Sequence, residues 1–121
     1  MESGVPYRVF LAIDLTEAES AKRIPFYEDI GRLCNKFGCP CYLPYRYFGI
    51  GPSKRPRIYE IQKMQEEIFK PQVELVIAYL DIESHDVGVM VAHAAQYMKD
   101  LVFLYNKKNK DRVKKFLNGG V

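Results

Sequence analysis

The stretch Tyr7-Arg-Val-Phe-Leu-Ala-Ile-Asp-Leu15 is an almost unbroken apolar run of strand length. A strand with one wet face alternates apolar and polar residues. An unbroken run belongs in a strand buried on both faces, as in a parallel sheet covered by helices. A helical segment in two pieces follows, with Thr16 as its expected N-cap and a restart at Pro25. Phe26, Ile30, Leu33 and Phe37 recur at helical spacing, which predicts one inward apolar face, and Gly38 is the expected stop. Cys39-Pro-Cys-Tyr-Leu43 reads as a short second strand and Glu74-Leu-Val-Ile-Ala-Tyr-Leu80 as the third. Leu101-Val-Phe-Leu-Tyr105 reads as the fourth. Between them lie a helix from Pro56 to Pro71, with Ile58, Ile61, Gln65 and Ile68 inward, and another from Asp86 to about Lys99, with Val87, Val91, Ala94 and Met98 inward. A short basic helix, Lys108–Leu117, closes the chain. Tyr45–Arg55, with two glycines, Pro52 and three aromatics, reads as a loop, either a flap over a site or a segment packed on its own rings.

Such alternation of strand and helix implies an α/β domain with parallel strands joined by right-handed crossovers, in the doubly wound order 2-1-3-4. The 121 residues fit a single domain, 1–121, with flexible tails expected at 1–6 and 118–121. Net charge is only +3, drawn largely from the basic segment Lys107–Lys115, which is too little for a nucleic-acid surface. Apolar runs stop at strand length, so no membrane partner is expected, and the first residues lack the pattern of a secretion signal. Of the three cysteines, Cys39-Pro-Cys41 has the wrong spacing for a zinc knuckle or redox pair. Reduced thiols, no metal, no cofactor and a cytoplasmic location are the expectations.

In the order 2-1-3-4 the chain reverses between the first and third strands, and ligands bind at the carboxyl ends there. That crevice would be lined by Asp14, Leu15 and Thr16 from one strand end and by Asp81, Ser84, His85, Asp86 and Gly88 from the other. It is acidic and lacks the glycine-rich turn of a dinucleotide site. Carboxylates there suit a hydroxyl-bearing ligand such as a ribose, or a reaction passing through an oxocarbenium ion. Two plainer readings stand beside this one: Asp86 as a helix cap and Asp14 as a solvated strand end.

Asp86-Val-Gly-Val-Met-Val-Ala-His-Ala-Ala95 resembles the segment Asp-x-Gly-x-x-x-Glu-hydrophobic-Gly-Tyr-Ala of the nucleoside 2-deoxyribosyltransferases and the related deoxynucleoside 5′-monophosphate N-glycosidases. Pro56-Arg-Ile-Tyr-Glu60, Val73–Leu80, Lys99–Tyr105 and Phe26-Tyr27-Glu28 extend the resemblance over most of residues 7–106. It implies a flavodoxin-like three-layer sandwich, with a parallel sheet of four to five strands between helices, in a homodimer or higher homo-oligomer. It also implies cleavage of an N-glycosidic bond by a glutamate nucleophile. Position by position, Asp86 matches the acid that holds substrate and Gly88 the glycine of the close turn. The nucleophile falls at Ala92, and alanine cannot attack. Ala94 and Ala95 stand where the family has glycine and tyrosine, and Asp14-Leu-Thr-Glu17 replaces its small turn. The family's helical aspartate aligns with Glu66.

Asp86 and Glu66 are therefore the candidate catalytic carboxylates, and Asp14, Asp81, Gly88 and Tyr45 the candidate substrate contacts. His85 and His93 are the other titrating side chains nearby, His93 pointing away from Ala92 on a helix. The expected function is binding of a nucleoside or nucleotide between strands one and three. The family's N-glycosidic chemistry is left open, because the nucleophile is missing and only Asp86 and Glu66 could supply carboxylates for an altered hydrolysis. The alternative is a non-catalytic interaction or assembly protein that keeps only the fold.

Overall fold

The computed structural model describes residues 7–52 and 58–118. Four strands, β1 (Arg8–Ala12), β2 (Cys41–Tyr42), β3 (Val73–Tyr79) and β4 (Asp100–Leu104), form one sheet in the order β2-β1-β3-β4, with every pairing parallel. The arrangement is flavodoxin-like α/β. The central place of β1 follows from its side chains: Val9, Phe10, Leu11, Ala12 and Ile13 are all buried, so the strand needs cover on both faces and neighbours on both edges. Its neighbours are the two-residue β2 and the full length of β3.

Six helices connect and cover the strands: α1 (Ala18–Ala21), α2 (Ile24–Lys36), α3 (Tyr45–Phe48), α4 (Ile58–Phe69), α5 (His85–Gln96) and α6 (Lys110–Leu117), the last entered through a 3-10 turn at Lys107–Asn109. Right-handed crossovers send α2 to one face and α4 with α5 to the other. Met64 and Ile68 of α4 and Val87, Met90 and Ala94 of α5 share the core with Phe10, Val76 and Ala78. The other face carries α2, with Gly31 close against Leu43. A methyl group on Gly31 would stand 3.2 Å from a Leu43 methyl, so glycine is what lets this helix approach the sheet.

Several local expectations are corrected. Thr16 does not cap the first helix; Glu17 is the N-cap residue and makes no side-chain cap bond. The carboxylate of Asp14 collects the Thr16 and Glu17 amides instead, because an aspartate reaches the backbone two and three residues ahead of itself. Asp86 is not the cap of α5 either. Ser84 is, its hydroxyl accepting from the Val87 amide at 3.3 Å, and Asp86 lies in the first turn. The expected loop Tyr45–Arg55 opens with the helical turn α3. The buried side of α2 is also rotated from the expected one. Tyr27 and Gly31 are buried, whereas Phe26, Leu33 and Phe37 are 43%, 57% and 73% exposed. Met98 was expected on the inner face of α5, but the helix ends before it. Met98 takes a left-handed conformation (φ 58°) and is 90% exposed. The expected stop at Gly38 holds, with φ 75°. Asn118, expected in a tail, still caps α6 through the Lys114 and Lys115 carbonyls. The rest of the expected tails, and Lys54, Arg55 and Pro56, lie outside the described residues.

The end of β1 is closed by one hydroxyl. Ser20 Oγ donates to the Asp14 carbonyl at 2.5 Å and lies 2.8 Å from the Tyr27 hydroxyl, and all three residues are buried. Removing that hydroxyl leaves two buried polar atoms without partners, so Ser20→Ala is expected to cost about 1–3 kcal/mol. Tyr27→Phe leaves the Ser20–Asp14 bond in place and should cost about 1 kcal/mol. Urea titration of the three proteins checks the order; equal losses would mean the Ser20–Asp14 bond contributes nothing.

Candidate functional site

At the switch point between β1 and β3, the protein has filled its own crevice. Asp14 is 3% exposed, and its carboxylate accepts from the Thr16 amide (2.8 Å), the Glu17 amide (2.7 Å) and the Thr16 hydroxyl (3.1 Å). The ring of Tyr27, wholly buried, packs edge-on against Tyr79 and tilted against Tyr45, with centroids 5.6 Å and 6.0 Å away. Phe26 packs on Tyr79 from α2. The segment after α3 lies across the end of β1, where the Gly51 amide donates to the Leu15 carbonyl at 3.0 Å. The aromatic stretch expected as a flap thus covers the strand's own end.

The other candidate contacts are committed in the same way. Asp81 accepts from the Asn106 amide (2.6 Å) and the Asn109 side chain (3.0 Å), which ties the exit of β4 to the exit of β3. Burial works against the Asp81 charge, but those donors, the Tyr79 hydroxyl and nearby Arg112 outweigh it and hold the carboxyl below its ordinary range. Gly88 faces α6: a Cβ there would sit 3.5 Å from the Phe116 ring, so its smallness serves helix packing. The Tyr45 hydroxyl donates to Glu28, which Arg46 also grips, and burial together with that carboxylate pushes the phenol far up. Arg46 and Tyr45 in turn hold the Glu28 carboxyl below its usual range. Asp86 is half-buried in the first turn of α5, where it too is partnered.

Glu66 and Asp86 are not brought together. Glu66 lines a groove with Arg8 and Val73, the first residues of β1 and β3, at the amino end of the sheet. Asp86 follows β3 at the carboxyl end. Ala92 is exposed on the outer side of α5, two turns into the helix, so a carboxylate there would face solvent. His85 is exposed and His93 half-buried beside Tyr97.

Two hollows stand out among the described residues. One, of about 420 Å³, lies between the β3–α5 turn and α6, walled by Ile82, Val87, Val113 and Phe116 with Ser84 and Lys115 at its polar side. Arg112 holds this wall in place, its guanidinium donating to the Leu80 and Asp81 carbonyls at 2.8 Å and 2.9 Å. The other is the groove at the amino end, about 790 Å³, between β1–β2 and α4. Sequence reasoning missed Ser20, Arg112 and Arg8, and it placed Ser84 in the crevice but gave the cap to Asp86. The capping role of Ser84 had a signal, a small hydroxyl residue three positions before Val87. Among the described residues no three His, Cys, Asp or Glu side chains gather as a metal site, and no helix is long and apolar enough to cross a membrane.

Burial also raises the Cys41 thiol to about 12 and the Tyr27 and Tyr42 phenols to about 12. Each group sits above its unfolded value, so its stabilisation is whole below that value and is lost as pH rises through the folded one. Thermal midpoints should be flat to about pH 9 and then fall through pH 12. Tyr27→Phe should flatten the part of that fall above pH 10. A midpoint that holds level to pH 12 would contradict the burial of these groups.

No family model matches the chain, and neither a curated protein nor a solved structure matches it.

Proposed function

We propose that the chain binds a nucleoside or nucleotide without cleaving its N-glycosidic bond, and that the ligand sits in the recess between the β3–α5 turn and α6. The observation that carries this reading is the commitment of the two strand-end carboxylates at the switch point, Asp14 and Asp81. Asp14 and Asp81 are spent on the chain's own amides, and Ala92 faces away, which argues against catalysis there. What stays open at the carboxyl end is a space within the range of small-ligand pockets. Phe116, Val87 and Ile82 offer apolar walls for a base. Lys115 and the amino end of α5 favour a phosphate through charge and the helix dipole.

A panel of nucleosides and nucleoside 5′-monophosphates, read by thermal shift and by chromatography for released base, tests it. A ligand at one hundred times its Kd should add about 2.7 kcal/mol of stability, with no free base formed. Lys115→Glu should abolish the monophosphate shift, and Ala92→Glu should gain no hydrolysis. Absence of any shift, or release of base by the natural chain, would overturn the reading.

A second reading, self-association, is favoured by α2. Its Phe26, Leu33 and Phe37 point outward beside a sheet face where Leu75 and Ile77 are only half-covered and Val102 is 41% exposed. The spacing of Phe26, Ile30, Leu33 and Phe37 is that of a helix seam, which a second copy of the same helix can complete. Light scattering after size exclusion is expected to give a dimer mass, with Leu33→Lys reducing it to a monomer. A monomer at high micromolar concentration would remove this reading.

A further inference from the structure

The groove at the amino end of the sheet has a floor built from β1 and β2. Arg8 and Val9 of β1 line it where the β1–β3 register shifts, Phe10 pairs in register with Tyr42, and the three rings Phe10, Tyr42 and Tyr47 form a continuous stack. Centroids are 5.0 Å and 4.9 Å apart, with interplanar angles of 12° and 7°. The stack runs from Phe10, wholly buried, out to Tyr47, which is 69% exposed. The groove lies between the two-residue β2 with the start of β1 on one side and α4 on the other.

Arg8 is the odd group in this groove. Its Nε is buried, and among the described residues no acceptor reaches it. No ion pair joins it to Glu60, Glu66 or Glu67, although all three line the same space. Glu67 is already paired with Lys70 at 3.1 Å. A guanidinium is a planar fork whose two terminal nitrogens match the two oxygens of a carboxylate or phosphate. With Nε enclosed and, among the described residues, no ion pair on the rest of the group, those terminal nitrogens are the part of Arg8 that meets the groove. Lys63 adds a second positive charge on the α4 wall, and the glutamates there accept from hydroxyl or amine donors.

We propose that this groove is a binding site for a small planar aromatic anion, whose carboxylate or phosphate takes the Arg8 fork while its ring continues the Tyr42–Tyr47 stack. The site is at the opposite end of the sheet from the nucleoside recess and does not depend on it.

The test is a titration of the full chain with phenyl phosphate and with 4-hydroxybenzoate, followed by the nitrogen-15 resonance of the Arg8 Nε–H group. Phenol and inorganic phosphate are the controls. At least one aromatic anion is expected to move that resonance to saturation, and which one does so separates phosphate from carboxylate preference. Phenol and inorganic phosphate should bind at least tenfold more weakly, since each supplies only half of the contact. Read at the Tyr47 ring protons, Arg8→Gln should abolish saturation and Arg8→Lys should weaken it at least tenfold because a point charge does not reproduce the fork; read at the Arg8 Nε–H group, Tyr47→Ala should weaken it severalfold. Tyr47 is exposed, so its variant keeps the test valid if the Arg8 variants fail to fold. Lys115→Glu should change nothing. The proposal fails if neither aromatic anion moves the Arg8 resonance. It fails too if Glu66→Gln or Glu60→Gln alone moves that resonance in the free protein, for the arginine is then an internal ion-pair partner.

Discussion

One hydroxyl, that of Ser20, governs how the carboxyl end of this sheet is built. The central strand delivers a backbone carbonyl and a carboxylate into a buried region, and each must find a donor. Ser20 serves the carbonyl and meets the Tyr27 phenol, while the carboxylate of Asp14 is met by the turn that follows it. Tyr27 must then point at Ser20, and this fixes the rotation of α2 about its axis. The cost of that rotation is visible on the outside of the helix, where Phe26, Leu33 and Phe37 meet solvent. The crevice of the fold is closed by the same contact that orients its covering helix.

The order of elements was readable in the sequence because it depends on long apolar runs and their punctuation. Tyr7–Leu15 could only be a doubly covered strand, and the parallel order followed from the alternation of strands and helices. Element ends moved by one or a few residues, as competing caps decided: Asp14 over Thr16, Ser84 over Asp86. The inner face of α2 was misread for a different reason. Periodicity reports where apolar residues recur, but a buried tyrosine with a partner for its hydroxyl and a glycine at a close crossing outweigh three larger apolar side chains. The site was the least legible part. Asp14, Asp81, Gly88 and Tyr45 do lie toward the carboxyl end, yet whether a carboxylate serves a ligand or its own backbone depends on atoms that spacing does not specify.

The two open hollows differ in chemistry. The recess near α6 has mainly apolar walls and takes its polarity from Glu83, Ser84, Arg112 and Lys115. The groove near β2 is charged in both signs and carries exposed rings. Asp86 and Glu66, which sequence comparison set side by side as candidate carboxylates, are divided between these two ends, about the length of a strand apart. A reaction needing both would have to span the sheet.

The central strand also sets the order in which the chain can be finished. β1 precedes its long partner β3, which starts at Val73, and its other neighbour offers only Cys41 and Tyr42. On the ribosome the run Val9–Ile13 must wait, without a lasting partner, until Val73 and the residues after it have emerged. Nascent strands in that state are the kind that chaperones bind and that associate with each other when unprotected. The property that makes β1 the anchor of the finished sheet makes it the main hazard during synthesis.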